Sequence, residues 1–136
     1  MIPLYFASPI PEGNERENKH KDKDVVMNDP LSYLLPACKA WNTPIVLKGH
    51  VSYIGNPDGR YWILDGMNPN LGTGGSGDLL AGIIAGLLAT GIQPLDAALT
   101  GVALHDRIGK LAAAELGWFA AEDLLPFISK GLITKE

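Results

Sequence analysis

The sequence is poor in cysteine, and it has neither a surplus of basic residues nor a long apolar run. A single cysteine, Cys38, excludes an intramolecular disulfide and a cysteine-pair metal site. A net charge of −4 argues against a partner held by neutralising nucleic-acid phosphates. No apolar stretch reaches the roughly 20 residues that span a bilayer. We therefore expect a cytoplasmic chain that binds neither nucleic acid nor membrane, in which Cys38 is structural.

Two further features are missing from the sequence. The N-terminal stretch MIPLYFASPIP has no basic leader and is interrupted by prolines, so we do not expect a secretory signal. The P-loop pattern of many nucleotide-binding proteins is also absent. What remains is a composition with 46% hydrophobic and 19% charged residues, which is ordinary for a globular protein. The length predicts one domain or a part of one.

The chain changes character near residue 30. The segment EGNERENKHKDKD, residues 12–24, mixes acidic and basic residues without an apolar period, which is typical of a flexible, solvated arm. We place an N-terminal arm at residues 1–29 and the folded part at residues 30–136. The stretch DPLSYLLPACKAWNTP then predicts a short amphipathic helix with Asp29 as N-cap and Pro30 at its first position. Only Pro36 opposes that helix.

The middle and end of the chain predict strands followed by helices. PIVLKG, VSYIG and YWILDG are typical of short strands, with the turn NPDGR before the third. SGDLLAGIIAGLLATG predicts a buried helix that ends near Gly91, and Gly82 and Gly86 suggest close approach of another backbone. PLDAALTGVALHDRIGKLAAAELG predicts a second helix with Gly101 or Gly109 as candidate breaks. AEDLLPFISKGL predicts a short terminal helix.

The glycine-rich stretch NLGTGGSGDLL, residues 70–80, is the candidate functional motif. A strand, a glycine-rich turn and a buried helix in this order indicate an α/β architecture with the turn at the carboxyl end of a strand. Glycines let main-chain N–H groups face a ligand, and the helix start adds unpaired donors, so the turn favours an anion. The Asp78 carboxylate beside it is placed to accept a proton from an attacking hydroxyl. Simple helix capping, with Asp78 complementing the helix dipole, explains the pattern equally well.

The longer stretch NPNLGTGGSGDLLAGIIAGLLATG resembles the signature of the ribokinase-like superfamily and, within it, of the NAD(P)H-hydrate dehydratases. The resemblance continues through PLDAALTGVALHDRIGKLAAAELG. It begins at IVLKGHVSYIGNPDGRYWIL, which is similar to the family's nucleotide-binding strand pair. It covers roughly residues 44–128, the closing part of the family's domain. It implies an α/β, partial ribokinase-like fold in which a central, mostly parallel sheet is packed by helices.

The resemblance implies an enzyme that repairs damaged nicotinamide. ADP or ATP, with Mg²⁺, phosphorylates the hydroxyl of hydrated NADH or NADPH, and loss of phosphate regenerates the cofactor. Two alternatives stay open: a small-molecule kinase of the hydroxymethylpyrimidine or hydroxyethylthiazole type, and a non-catalytic nucleotide-binding fragment. Because a partial parallel sheet leaves a face or edge uncovered, we also expect a homo-oligomer.

The resemblance also implies a set of site residues. Asp78 is the expected catalytic base and contacts the substrate hydroxyl, and Asn68 is a second substrate contact. The anion-hole residues are Gly75, Ser76 and Gly77. The nucleotide-binding residues are Lys48, Gly49, His50, Val51, Ser52 and Gly77. No metal-ligating residue is predicted. His105, a lone histidine on an apolar helix, is interpreted as a core residue outside the site.

Overall fold

The structure is a computed structural model that describes residues 25–133. The charged segment 12–24 of the predicted arm therefore lies outside the described residues. Within the described range, helices and a small sheet alternate with short turns. The elements are α1 (Pro30–Trp41), β1 (Ile45–Leu47), β2 (Ser52–Gly55), β3 (Tyr61–Leu64), a 3₁₀ turn (Pro69–Gly72), α2 (Ser76–Ala89), α3 (Pro94–Leu116), a second 3₁₀ turn (Ala121–Leu124) and α4 (Phe127–Leu132).

The three described strands form one antiparallel sheet in the order β1-β2-β3. Val46 pairs with Ile54, and Ile54 pairs with Trp62. The expectation of a mostly parallel sheet is wrong for these strands. Their connections, residues 48–51 and 56–60, are too short for the crossover of a dozen or more residues that parallel strands need. The second connection is a tight turn in which the Asn56 N–H donates to the Arg60 carbonyl at 2.9 Å.

Helix α1 covers one face of the sheet. Leu34 and Cys38 are its buried residues, and they form a cluster with Ile45 of β1. Gly55 of β2 allows the helix to come close, since a Cβ atom there would lie 2.8 Å from the Cys38 Sγ. Burial raises the pKa of the Cys38 thiol. Cys38 is therefore an unreactive packing residue, as expected from the sequence.

Helices α2 and α3 cover the other face of the sheet. The shared core contains the residues Val46, Ile54, Leu80, Ile84, Ala97, Ala98 and Val102. Helix α3 is continuous, so the predicted break at Gly101 or Gly109 does not occur. Both glycines are buried contact points instead: a Cβ atom on Gly101 would overlap Ile84 Cγ1, and one on Gly109 would lie 2.7 Å from a Leu71 methyl. Close packing offsets the roughly 1 kcal/mol that a glycine costs inside a helix.

Helix α2 leaves one face uncovered within residues 25–133. Gly82, Ala85, Gly86 and Ala89 are exposed, and beyond the adjoining backbone of the helix itself no atom of the described residues lies within 4 Å of a Cβ atom placed on Gly82 or Gly86. The expectation that α2 is buried all round is therefore not met by the described part of the chain. The reason is that the sheet and α3 contact only the side of the helix that carries its larger apolar residues, such as Ile84. The open face can accept further protein.

The C-terminal part forms a second core against the later half of α3. Phe119, Leu124 and Phe127 pack on Leu104 and Ile108. The predicted terminal helix is present as the second 3₁₀ turn followed by α4, because Pro126 separates the two. None of the helices in the described range is both long enough and apolar enough to cross a membrane.

Candidate functional site

A cavity of about 380 Å³ lies between the strand connection after β1, the first 3₁₀ turn and α3. That volume is within the range of small-molecule sites. Its polar lining residues are Lys48, His50, Ser52, Asn68, His105 and Asp106. The remaining lining residues are Gly49, Leu64, Gly66, Pro69, Leu71, Gly72 and Val102. The mixture of apolar walls and a few polar groups is typical of a ligand pocket.

Lys48 is the cation of this cavity. It follows β1 directly, and its Nζ donates a hydrogen bond to the Leu71 carbonyl at 3.2 Å. Burial lowers the pKa of Lys48, because the charged form loses water. Among residues 25–133 the lysine makes no ion pair with a carboxylate. Its charge is therefore available to an anionic ligand.

His105 links the cavity to the start of α2. Its Nε2 lies 3.1 Å from the Ser76 Oγ, and only 3% of the histidine and 0% of the serine are exposed. Burial, together with the charge of Lys48, lowers the pKa of His105 to about 4, although a hydrogen bond with the Ser76 backbone and the Asp106 charge act in the opposite direction. The imidazole is therefore neutral at pH 7. Its hydrogen bond with the Ser76 hydroxyl holds the first residue of α2 in place.

The N-terminus of α2 offers free main-chain donors. Gly75, its N-cap, has φ of 86°, a left-handed conformation that glycine adopts readily. The Ser76 N–H donates to the Thr73 carbonyl at 3.3 Å, and the Leu79 N–H donates to the Gly75 carbonyl at 3.1 Å. No side chain of the described residues caps this helix. The N–H groups of residues 77 and 78 therefore remain for an anion.

Asn68 and Asp106 bring two unsatisfied polar atoms to the cavity. Asp106 Oδ2 pairs with Lys110 Nζ at 2.8 Å, but its Oδ1 is buried without a hydrogen-bond partner in the described residues. Asn68 Nδ2 is in the same state. A Cβ atom on Gly109 would lie 2.9 Å from this Nδ2, so the amide rests on α3 one turn after Asp106. Such unsatisfied groups cost about 1–3 kcal/mol each, so they call for an explanation.

The structure brings together only part of the predicted site. The predicted residues that line the cavity are Lys48, Gly49, His50, Ser52 and Asn68. The predicted residues outside its lining are Val51, Gly75, Ser76, Gly77 and Asp78. Ser76 reaches the cavity indirectly through His105, whereas Asp78 is exposed.

Among the polar lining residues, sequence reasoning missed His105 and Asp106. The interpretation of His105 as buried is confirmed, but the same buried ring also borders the cavity. One available signal was the charged pair Asp106 and Lys110, four residues apart on a helix that is otherwise rich in small apolar residues. Together with His105 they indicate a polar region on an otherwise apolar helix, which is where the cavity lies.

Comparisons with known proteins agree on one family. The sequence profile described as NAD(P)H-hydrate dehydratase matches residues 14–130. An ADP-dependent (S)-NAD(P)H-hydrate dehydratase of Xanthomonas campestris is 42% identical over 107 residues, which are 77% of this chain and 37% of that protein. The bifunctional NAD(P)H-hydrate repair enzyme Nnr of Moorella thermoacetica is 40% identical over 105 residues, 76% of this chain and 20% of that protein.

Solved structures give the same relationship. Bacillus subtilis YxkO superposes with a TM-score of 0.72 at 30% identity, over 79% of this chain and 41% of that one. The ADP/ATP-dependent NAD(P)H-hydrate dehydratase from the same organism, co-crystallised with ATP and Mg²⁺, superposes with a TM-score of 0.66 at 33% identity. The superposition covers 79% of this chain and 40% of the Bacillus chain.

The fold and the cavity define a part of a ribokinase-like α/β domain, which confirms the expected fold class. The chain belongs to the NAD(P)H-hydrate dehydratase family. It spans only 37% of the Xanthomonas relative and about two fifths of the Bacillus structures.

Proposed function

We propose that the chain supplies the nucleotide-binding and base-bearing part of an ADP- or ATP-dependent dehydratase of hydrated NADH and NADPH. The nucleotide phosphorylates the hydroxyl of the hydrate, and elimination of phosphate then restores the reduced nicotinamide ring. The observation that carries this proposal is the cavity with the half-buried Lys48, whose wall residue His105 contacts Ser76 at the N-terminus of α2. A half-buried cation and a helix N-terminus connected in this way together favour a phosphate-bearing ligand.

Each predicted residue then has a role. Lys48 binds the phosphates. The segment 49–52, of which Gly49, His50 and Ser52 line the cavity, forms the wall along which the nucleotide lies. Gly75, Ser76 and Gly77 form the turn that directs main-chain N–H groups at the transferring phosphoryl group. Ser76 shapes this turn without a free donor of its own, because its N–H donates to the Thr73 carbonyl and its hydroxyl is buried against His105.

Asp78 lies at the start of α2 on the uncovered side of that helix, since residues 78, 82 and 86 are one turn apart. Its exposed carboxylate is placed to accept the proton of the substrate hydroxyl as that oxygen attacks phosphorus. Asn68, the other predicted substrate contact, lines the cavity instead, so in this scheme it faces the nucleotide. The hydrated nicotinamide then lies beside Asp78, on the uncovered side of α2.

Mg²⁺ fits this scheme as a companion of the nucleotide. No group of three or more His, Cys, Asp or Glu side chains in residues 25–133 is arranged to hold a metal ion. Magnesium commonly keeps several waters and binds through substrate phosphates with one or two carboxylates. The phosphates would thus hold most of the ion, and the ion would offset part of their negative charge. The related Bacillus enzyme was co-crystallised with ATP and Mg²⁺.

The assay that tests the function follows the near-ultraviolet absorbance of reduced nicotinamide. Hydrated NADH is incubated with the 136-residue chain, Mg²⁺ and either ADP or ATP. We expect an increase in absorbance that requires nucleotide and that identifies the phosphoryl donor. If no increase occurs although calorimetry shows nucleotide binding, the chain is instead the non-catalytic nucleotide-binding fragment. That alternative is favoured by its short coverage of the relatives.

The uncovered face of α2 leads to a prediction about assembly. Gly82 and Gly86 would permit close helix packing, and β1 and β3 are edge strands of the described sheet. We propose that copies of the chain associate through these surfaces. Light scattering after size exclusion is expected to show a dimer or a larger species. A monomer at all concentrations, with amides of β1 and β3 well protected from hydrogen exchange, would contradict the proposal.

The single buried Cys38 suits a reducing compartment such as the cytoplasm.

A further inference from the structure

We propose that Asn68 and Asp106 recognise the adenine base of the nucleotide, through hydrogen bonds to its N1 and N6 positions. This inference rests on the proposed function, because it assumes that a nucleotide occupies the cavity. It assigns a binding role to Asp106, which the sequence resemblance left without one, and it separates the base-reading residues from Lys48.

The first support is the pair of unsatisfied atoms. Among the described residues, Asn68 Nδ2 and Asp106 Oδ1 are the buried side-chain atoms without a hydrogen-bond partner, and both residues line the cavity. Nδ2 is a donor. Oδ1 is an acceptor, because the carboxylate pairs through Oδ2 with Lys110. The terminal torsions of both side chains are soft, so each group can turn toward a ligand in the cavity.

The second support is the relative placement of the two groups. Asp106 and Gly109 are three residues apart on α3, and the Asn68 amide rests against Gly109. The donor and the acceptor thus lie over neighbouring turns of one helix face. Gly66 also lies against the Asp106 Oδ1, since a Cβ atom placed on Gly66 would overlap it. A ligand that satisfies both atoms needs an acceptor and a donor side by side.

Adenine has that pattern on one edge. Its N1 accepts a hydrogen bond, and the adjacent N6 amino group donates one. Leu64, Leu71 and Val102 give the cavity apolar walls suited to the flat faces of a base. Hypoxanthine, the base of IDP, has the opposite pattern, because its N1 carries a hydrogen and its O6 accepts. The pair should therefore select ADP over IDP.

The experiment measures the dissociation constants of MgADP and MgIDP for the 136-residue chain by calorimetry. We expect ADP to bind about tenfold or more tightly than IDP, which is typical of a matched pair of base contacts. Asp106→Asn should bring the two constants close together, since an amide can donate to O6. The control variant Lys110→Met removes the same ion pair but leaves Oδ1 in place, so it should keep the preference for ADP.

A double variant tests the assignment independently. Asn68→Asp combined with Asp106→Asn exchanges the donor and the acceptor with little change in shape, and it should prefer IDP. Thermal unfolding of each variant checks that the fold persists. Equal binding of ADP and IDP by the parent chain would overturn the inference and leave the proposed function intact. Absence of binding by either nucleotide would overturn both. Nicotinamide mononucleotide is the competing ligand, because its carboxamide also carries an acceptor beside a donor. The inference would also fail if this nucleotide bound more tightly than AMP and if Asp106→Asn removed that difference.

Discussion

Replacement of Asp78 by asparagine is expected to slow the nucleotide-dependent regeneration of NADH by roughly 10²- to 10⁴-fold, the range that general bases contribute. Asparagine keeps the shape of the side chain and its position in the first turn of α2, but it cannot take up the proton of the substrate hydroxyl. Asp78 does not line the cavity, so the dissociation constant for ADP should not change. The absorbance assay gives the rate, and calorimetry gives the affinity.

The matched control for this variant is Asp96→Asn. Asp96 is also an exposed acidic residue in the first turn of a helix, in this case α3. If Asp78 merely complemented the helix dipole, both substitutions would cost about 0.3–1 kcal/mol of stability, and neither would affect the rate. An unchanged rate in Asp78→Asn would exclude its role as the base. An equal loss of rate in both variants would indicate a general effect of charge.

The local structure could be predicted well from the sequence because its signals are local. Pro30 and Pro94 begin α1 and α3, and α2 ends just before Gly91, whose φ is 89°. The three strands are bounded by glycine and proline, and the NPDGR turn lies between β2 and β3. The resemblance in the glycine-rich turn predicted the family, and the comparisons confirm it.

The missing part of the prediction concerns contacts between distant residues. His105 meets Ser76 across 29 residues, and no local pattern specifies that bond. Similarly, Gly101 and Gly109 could either break α3 or leave room for a neighbouring side chain, and the local sequence is the same in both cases. The structure shows the second case, with Ile84 and Leu71 as the neighbours. Gly82 and Gly86 gave the same signal again, yet they face away from the described core. Asp78 and residues 48–52 were predicted as one site, but the exposed Asp78 is not among the residues that line the cavity. The roles of the individual site residues stay predictions.

The buried His105 leads to the second large effect, on the pH dependence of stability. The pKa of His105 is lowered from 6.5 to about 4 in the folded chain. Between these values the unfolded chain binds a proton that the folded chain does not, so the free energy of unfolding increases with pH in this window. Full development of the shift corresponds to about 3 kcal/mol. Lys48, which favours the neutral ring, and Asp106, which opposes it, are the charged groups that influence it.

Urea unfolding at a series of pH values from 4 to 7 measures this effect, with His105→Gln as the comparison. Glutamine can still hydrogen-bond Ser76 but does not titrate. Carboxyl groups that titrate near pH 4 contribute to both proteins and cancel in the difference. We expect the parent chain to lose about 3 kcal/mol more than the variant on acidification through the window. Parallel curves would show that the folded chain accommodates a charged imidazole. The interpretation of His105 as a neutral ring buried against the N-terminus of α2 would then be wrong.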